Sequence, residues 1–163
     1  MARGYQLSTR LFVARDLDTT FGFFADAGNL QRLTPPWLDF SVLTPQPITM
    51  AIGVLIDYRI KVHGVPIRWR TEIAEWRPPF QFVDQQLKGP YRRWHHTHTF
   101  TAVDGGTMVE DTVRYQPLGG ALVHQLFVRR DLEQIFTFRQ QQILAALEVA
   151  ARDPITVEIT PLI

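Results

Sequence analysis

Two histidines, His96 and His98, stand two residues apart in the alternating stretch Tyr91 to Val103. Asp84 and Asp111 lie in the alternating stretches on either side of it. A carboxylate beside an imidazole fixes the ring's tautomer and raises its pKa, and this can turn a histidine into a general base or acid. Turn chemistry sets the pairing. Asp104-Gly105 is a two-residue hairpin signal. It places Phe100 opposite Val109, His98 opposite Asp111, His96 opposite Val113 and Trp94 opposite Tyr115. Reading Lys88-Gly89-Pro90 as a three-residue turn places Asp84 opposite Trp94, Phe82 opposite His96 and Phe80 opposite His98. Side chains alternate across a strand, so all of these share one face. Phe80, Phe82, Phe100, Val109 and Val113 make that face the buried one. The expectation is a largely aromatic wall with Asp84, His96, His98 and Asp111 set into it.

His98 and Asp111 are the candidate catalytic pair. The same two residues read more readily as a hydrogen-bonded cross-strand pair that satisfies two buried groups, and they also read as ligand-recognition groups. His96 and His98 also form a His-x-His pair with Asp111 as a possible third ligand. Metal sites need a fuller ligand set, so neither a metal nor any other cofactor is assigned. Phe82, Asp84, Trp94, His96, Phe100, Val113 and Tyr115 are candidate ligand contacts on the wall. Tyr58, Trp69 and Thr71 share the inner parity of their own strands and join the same group. Arg139 either faces the wall and pairs with Asp84 or a ligand carboxylate, or lays its stem on apolar surface with its head in water. Ile135 is its neighbour on the same stripe. Trp37, after Thr34-Pro35-Pro36, either gates the pocket or packs in the core.

These residues need elements to hold them. Tyr5 to Ala14 alternates and reads as a first strand, followed by a helix capped by Asp16 or Asp18. Leu17 to Asp26 and Asn29 to Leu33 read as two short helices, divided by Gly28 and stopped by Thr34-Pro35-Pro36. The period then changes to two. Strands are expected at Leu38–Leu43, Val54–Val62, Ile67–Trp76, Phe80–Leu87, Tyr91–Val103 and Thr107–Gln116. Pro117, Gly119 and Gly120 end the run. Ala121 to Ala150 contains no Pro or Gly and carries the stripe Val128, Leu132, Ile135, Phe136, Ile143 and Leu147, widened by Leu122, Phe127 and Phe138. It reads as one helix of about eight turns, with Arg129-Arg130 and Gln140-Gln141-Gln142 on its solvated face. Asp153-Pro154 ends it, and the segment after it has no assigned place.

The resulting fold class is α+β. A curved, seven-stranded antiparallel sheet wraps a long C-terminal helix, with two short helices after the first strand. A meander of that length twists and curls. One helix cannot fill its concave side, so a cavity is expected there. Residues 1–152 read as a single ligand-binding domain and 153–163 as a tail.

Composition bounds the rest. The 163 residues include 45% hydrophobic and 20% charged types, enough for one domain with a real core. A net charge of +1 provides no field for nucleic acid or an anionic membrane. With no cysteine, thiolate chemistry and disulfides are excluded and a cytoplasmic location is favoured. No signal peptide is read at the N-terminus and no apolar run approaches the ~18 residues of a membrane span.

Four segments carry a family resemblance. They are Asn29-Leu30-x-x-Leu33-Thr34-Pro35-Pro36-Trp37; Trp69-x-Thr71-x-Ile73; Phe82-Val83-Asp84-x-Gln86-x-x-Gly89-Pro90-Tyr91-x-x-Trp94-x-His96-x-His98-x-Phe100; and Gly106-Thr107-x-x-x-Asp111-x-Val113-x-Tyr115-x-x-Pro117. With the element order, they resemble the START/Bet v 1-like (SRPBCC) helix-grip superfamily of polyketide cyclases and lipid-transfer domains, and a bacterial branch within it. The resemblance covers about residues 5 to 150. It implies a pocket for a hydrophobic small molecule and no particular substrate.

Three functions follow in order. The first is a binding protein, monomeric or homodimeric, for a lipid-, acyl- or polyketide-like molecule. The second is a cyclase or dehydratase using the His98–Asp111 pair, since such reactions need little beyond a shaped apolar pocket and one acid–base group. The third, a protein-interaction module, has no exposed apolar stripe in its favour.

Overall fold

Alternating sequence becomes sheet wherever one face can be buried. The computed structural model of the chain describes residues 4–163. Its strands are β1 (Tyr5–Val13), β2 (Ser41–Val42), β3 (Leu55–Val62), β4 (Val65–Arg77), β5 (Gln81–Lys88), β6 (Tyr91–Val103), β7 (Gly106–Pro117) and β8 (Glu158–Pro161). They form one antiparallel sheet in the order β2-β3-β4-β5-β6-β7-β1-β8. Between β1 and β2 come α1 (Leu17–Ala25), a 3-10 turn (Ala27–Asn29), α2 (Leu30–Leu33) and a second 3-10 turn (Pro36–Leu38). Asp16 caps α1 by accepting from the Thr19 amide at 3.0 Å.

The sheet has eight strands rather than seven. The segment left without a place supplies the additional one: Glu158–Pro161 pairs with β1 opposite Tyr5 to Ser8. Its single buried side chain, Ile159, joins the core. Only two residues of the Leu38–Leu43 stretch are strand, because the Pro36–Leu38 turn and a left-handed Asp39 (φ 45°) use up its start.

The β6–β7 register follows the Asp104-Gly105 turn as expected, with His98 opposite Asp111 and Trp94 opposite Tyr115. The β5–β6 register is displaced by two residues, so Asp84 opposes His96 and Phe82 opposes His98. The connection is longer than a three-residue turn. The Gln86 side chain bridges to the Tyr91 backbone in both directions, at 2.8 and 3.2 Å, and a bulge follows at Tyr91/Arg93. A shift of two keeps every side chain on its face. Phe80, however, is pushed off the strand into a turn and lies exposed.

The C-terminal helix runs as α3 (Gly120–Val123), a π-helical turn (His124–Val128) and α4 (Arg129–Ala146). The wider π turn re-phases the stripe. It brings His124 inward and leaves Leu122 and Phe127 exposed, against the expectation from a uniform helix. The helix stops at Ala146, short of Ala150, where Glu148 turns left-handed (φ 55°). Gln140 is 1% exposed, not on the solvated face, and its amide donates to the Thr156 carbonyl at 3.2 Å, tethering the segment that leads into β8. No helix among the described residues is long and apolar enough to cross a membrane.

Candidate functional site

Along α4 the core falls into two apolar clusters with a polar belt between them. Around Ile143 and Leu144, the side chains of Leu11, Phe21, Phe24, Phe82, Phe100 and Val109 pack together. Phe100 meets Phe21 and Phe24 edge-on at 5.1 and 5.0 Å. Around Leu132 and Phe136 lie Phe40, Ile60, Trp69, Trp94 and Tyr115. A cavity of about 410 Å³ opens against this second cluster. Tyr58 stacks on Trp69 (5.6 Å, 19°) and Trp69 meets Trp94 edge-on at 5.4 Å, giving the cavity a continuous aromatic wall. Ile135 and Phe136 face it from the helix.

The belt joins β1, β5, β6, β7 and α4. Asp111 is its centre. Its Oδ1 lies 2.9 Å from His96 Nε2 and 3.1 Å from His98 Nδ1. Its Oδ2 accepts from Arg139 Nε at 3.3 Å and from Thr9 Oγ1 at 3.4 Å. Asp84 Oδ2 lies 2.6 Å from His98 Nε2 and 3.7 Å from His96 Nδ1. The His96 and His98 rings stack at 3.7 Å, and His98 stacks on Phe82 at 4.0 Å. Arg139 sits over the Phe24 ring, 5.4 Å from its centroid.

The titration behaviour follows from these neighbours. Burial works against the Asp111 carboxylate. Arg139 and then His96 and His98 outweigh it and hold Asp111 well below the ordinary carboxylate range. Burial opposes the Asp84 carboxylate too, but His96, His98 and Arg139 bring its pKa down. Burial would discharge His98, yet hydrogen bonds to Asp111 and Asp84 overcome it and raise its pKa. Burial and the neighbouring His98 charge lower the pKa of His96 despite the two carboxylates. The two histidines, two residues apart on one strand, are thus driven in opposite directions.

Of the residues singled out from sequence, Tyr58, Trp69, Thr71, Phe82, Asp84, Trp94, His96, His98, Ile135 and Arg139 all border the cavity. Trp37 borders it as well, 56% exposed at the rim with its ring edge-on to Phe138. Asp111 lies beneath the lining, 2% exposed. Phe100, Val113 and Tyr115 are buried in the clusters away from the cavity. The Tyr115 hydroxyl is taken by His124 Nε2 at 2.8 Å, whose ring stacks on Tyr5 at 3.5 Å.

Other contributors were not singled out. Thr9 shares the odd parity of Leu7 and Leu11, so the alternation of β1 already carried the signal. Phe40 and Met50 line the cavity from the irregular segment before β3, where no period marks them, and Leu30 lines it from the start of α2. His63, in a left-handed turn (φ 49°), reaches Asp131 of α4 at 2.8 Å across the rim.

Asp84, His96 and His98 each present one ligand atom within 4.8 Å of the others, close enough for a shared cation. A metal there would replace the proton of His98 Nε2 and add a cation beside Arg139. The surroundings fit a proton better than a metal ion.

The sequence model of the family described as "Polyketide cyclase / dehydrase and lipid transport" matches residues 13–139. No curated protein sequence matches the chain. Among solved structures it is similar to protein CV1439 from Chromobacterium violaceum, with TM-score 0.71 and 12% identity over 89% of this chain and 98% of that one. The Zhui aromatase/cyclase from Streptomyces sp. R1128 superposes with TM-score 0.69 and 14% identity, over 89% and 94% of the two chains. Protein Ms6760 from Mycobacterium smegmatis gives 0.65 and 20%, over 88% and 90%. Identities this low establish a shared helix-grip fold.

Proposed function

The chain belongs to the polyketide cyclase/dehydrase and lipid-transport family, and from that premise we propose that it binds a lipid-, acyl- or polyketide-like small molecule between the sheet and α4. The observation that carries this reading is the 410 Å³ cavity with its aromatic wall of Tyr58, Trp69 and Trp94. A space that size within an otherwise close-packed core costs stability unless something fills it. Native mass spectrometry of freshly purified protein tests the reading. It should show an adduct of small-molecule mass that organic extraction removes, and the extracted protein should take up Nile red. Neither adduct nor uptake would sink it.

A second reading is a cyclase or dehydratase. It is favoured by the opposed pKa shifts of the two histidines. His98 faces a carboxylate at each nitrogen, whereas His96 keeps an Nδ1 whose nearest carboxylate oxygen is 3.7 Å away. A neutral His96 would accept a proton from a bound molecule, with charged His98 and Asp84 beside it to pass protons on. His96→Gln should then retain the adduct but stop its conversion to a dehydrated mass. Unchanged conversion by this variant would exclude His96 as the base.

A further inference from the structure

The polar edge of the cavity is unbalanced in a way that specifies its occupant. Asp111 has its acceptors filled: His96 and His98 on Oδ1, Arg139 and Thr9 on Oδ2. His98 touches a carboxylate oxygen with each ring nitrogen, at 2.6 and 3.1 Å. His98 Nδ1 also faces Arg139 Nη2 at 3.4 Å, so both ring nitrogens are occupied within the belt and His98 offers a ligand no free nitrogen. His96 donates its Nε2 hydrogen to Asp111. In the neutral ring its Nδ1 is a bare acceptor, and the nearest polar atom, Asp84 Oδ2 at 3.7 Å, is an acceptor too. Asp84 uses that Oδ2 for His98, and no described side chain donates to its Oδ1. Two acceptors therefore stand side by side on the cavity lining with no hydrogen bond between them.

Charge narrows the choice. Asp84 and Asp111 are matched by Arg139 and a protonated His98. An incoming carboxylate would be a third anion among four charges already matched, and an ammonium a third cation. Arg139 is also committed, its Nε to Asp111 and its guanidinium face over Phe24. A neutral donor gives this edge a hydrogen without disturbing the balance.

We propose that the cavity selects apolar or aromatic molecules bearing a neutral hydroxyl, a phenol or alcohol, which donates its one hydrogen at the Asp84–His96 edge, to the Asp84 carboxylate or to His96 Nδ1, and that it discriminates against the corresponding carboxylates. This rests on the reading of the cavity as a small-molecule site.

Isothermal titration calorimetry at pH 7 with four probes of one shape tests it: naphthalene, 2-naphthol, 2-methoxynaphthalene and 2-naphthoate. The expected result is 2-naphthol binding about tenfold or more tightly than the methyl ether, with naphthoate weakest, as a hydrogen bond to a charged acceptor implies. Asp84→Asn puts an amide donor at this edge, and the preference for the naphthol over the ether should collapse while naphthalene affinity stays. Equal binding of naphthol and ether by the unaltered protein overturns the proposal. Tightest binding of naphthoate also overturns it and makes Arg139 the anchor. If none of the four binds, naphthalene included, the small-molecule reading falls and this proposal with it.

Discussion

The two ends of the core are built from the same residue types, but one is solid and the other hollow. At the Phe100 end, α1 lays Phe21 and Phe24 directly onto β6 and fills the concave side. At the Trp69 end the chain between α2 and β3 crosses with only a 3-10 turn and two residues of strand. It contributes Phe40 and Met50 to the lining but no helix face to fill the space. Aromatic content alone thus does not decide between core and pocket; the number of elements facing the sheet does.

The difference can be broken at either end. Phe100→Ala should destabilise by about 3–5 kcal/mol in urea unfolding, since it opens a new cavity in a filled region. Asp111→Ala, at the belt between the ends, should cost on the order of 3–5 kcal/mol by leaving the buried Arg139 without its carboxylate and stripping one of the two carboxylates from His98. Trp69→Ala should cost clearly less than Phe100→Ala, about 1–3 kcal/mol, because one side of the ring already faces empty space. If the two cost the same, the hollow end is filled and the contrast fails. His63→Ala, at the exposed rim, should change stability by about 1 kcal/mol or less.

The belt adds a pH signature whose sign follows from the shifts. Asp84 and Asp111 have lowered folded pKa values, so their contribution is present above about pH 4 and is lost as pH falls toward those lower values. His98 has a raised pKa. Its contribution is complete below about pH 6.5 and fades as pH rises through the folded value above that. His96 acts oppositely: held neutral, it weakens the fold as pH drops below about 6.5 toward its lower folded value. The two windows meet near pH 6.5, so stability should peak about there, decline as pH rises through the folded value of His98, and fall steeply in acid as His96 and then the carboxylates are protonated. Imidazole nitrogen shifts by NMR should show His98 charged at a pH where His96 is neutral. Both rings titrating together would contradict the assignment.

Much of this was legible before folding. The Asp104-Gly105 turn sets the β6–β7 register, and alternation alone puts His96, His98, Asp84 and Asp111 on one face. Yet the pairing inferred from register, His98 with Asp111, was incomplete. Asp111 also holds His96, Thr9 and Arg139, and His98 also holds Asp84. The contacts to Thr9 and Arg139 join β1 and α4 to this site, and no local pattern spans those separations.

Local chemistry determined what could be read locally: strand period, turn type, face, the helix and the aromatic surplus that must be buried. Tertiary structure decided the remainder. Closing the sheet against α4 chose which aromatics line space and which fill it, placed the unassigned C-terminal segment on β1, and shifted the pKa values of two near-identical histidines in opposite directions. The physical reason is that desolvation and charge pairing act through space, and a histidine's partners come from strands and a helix far away in the chain.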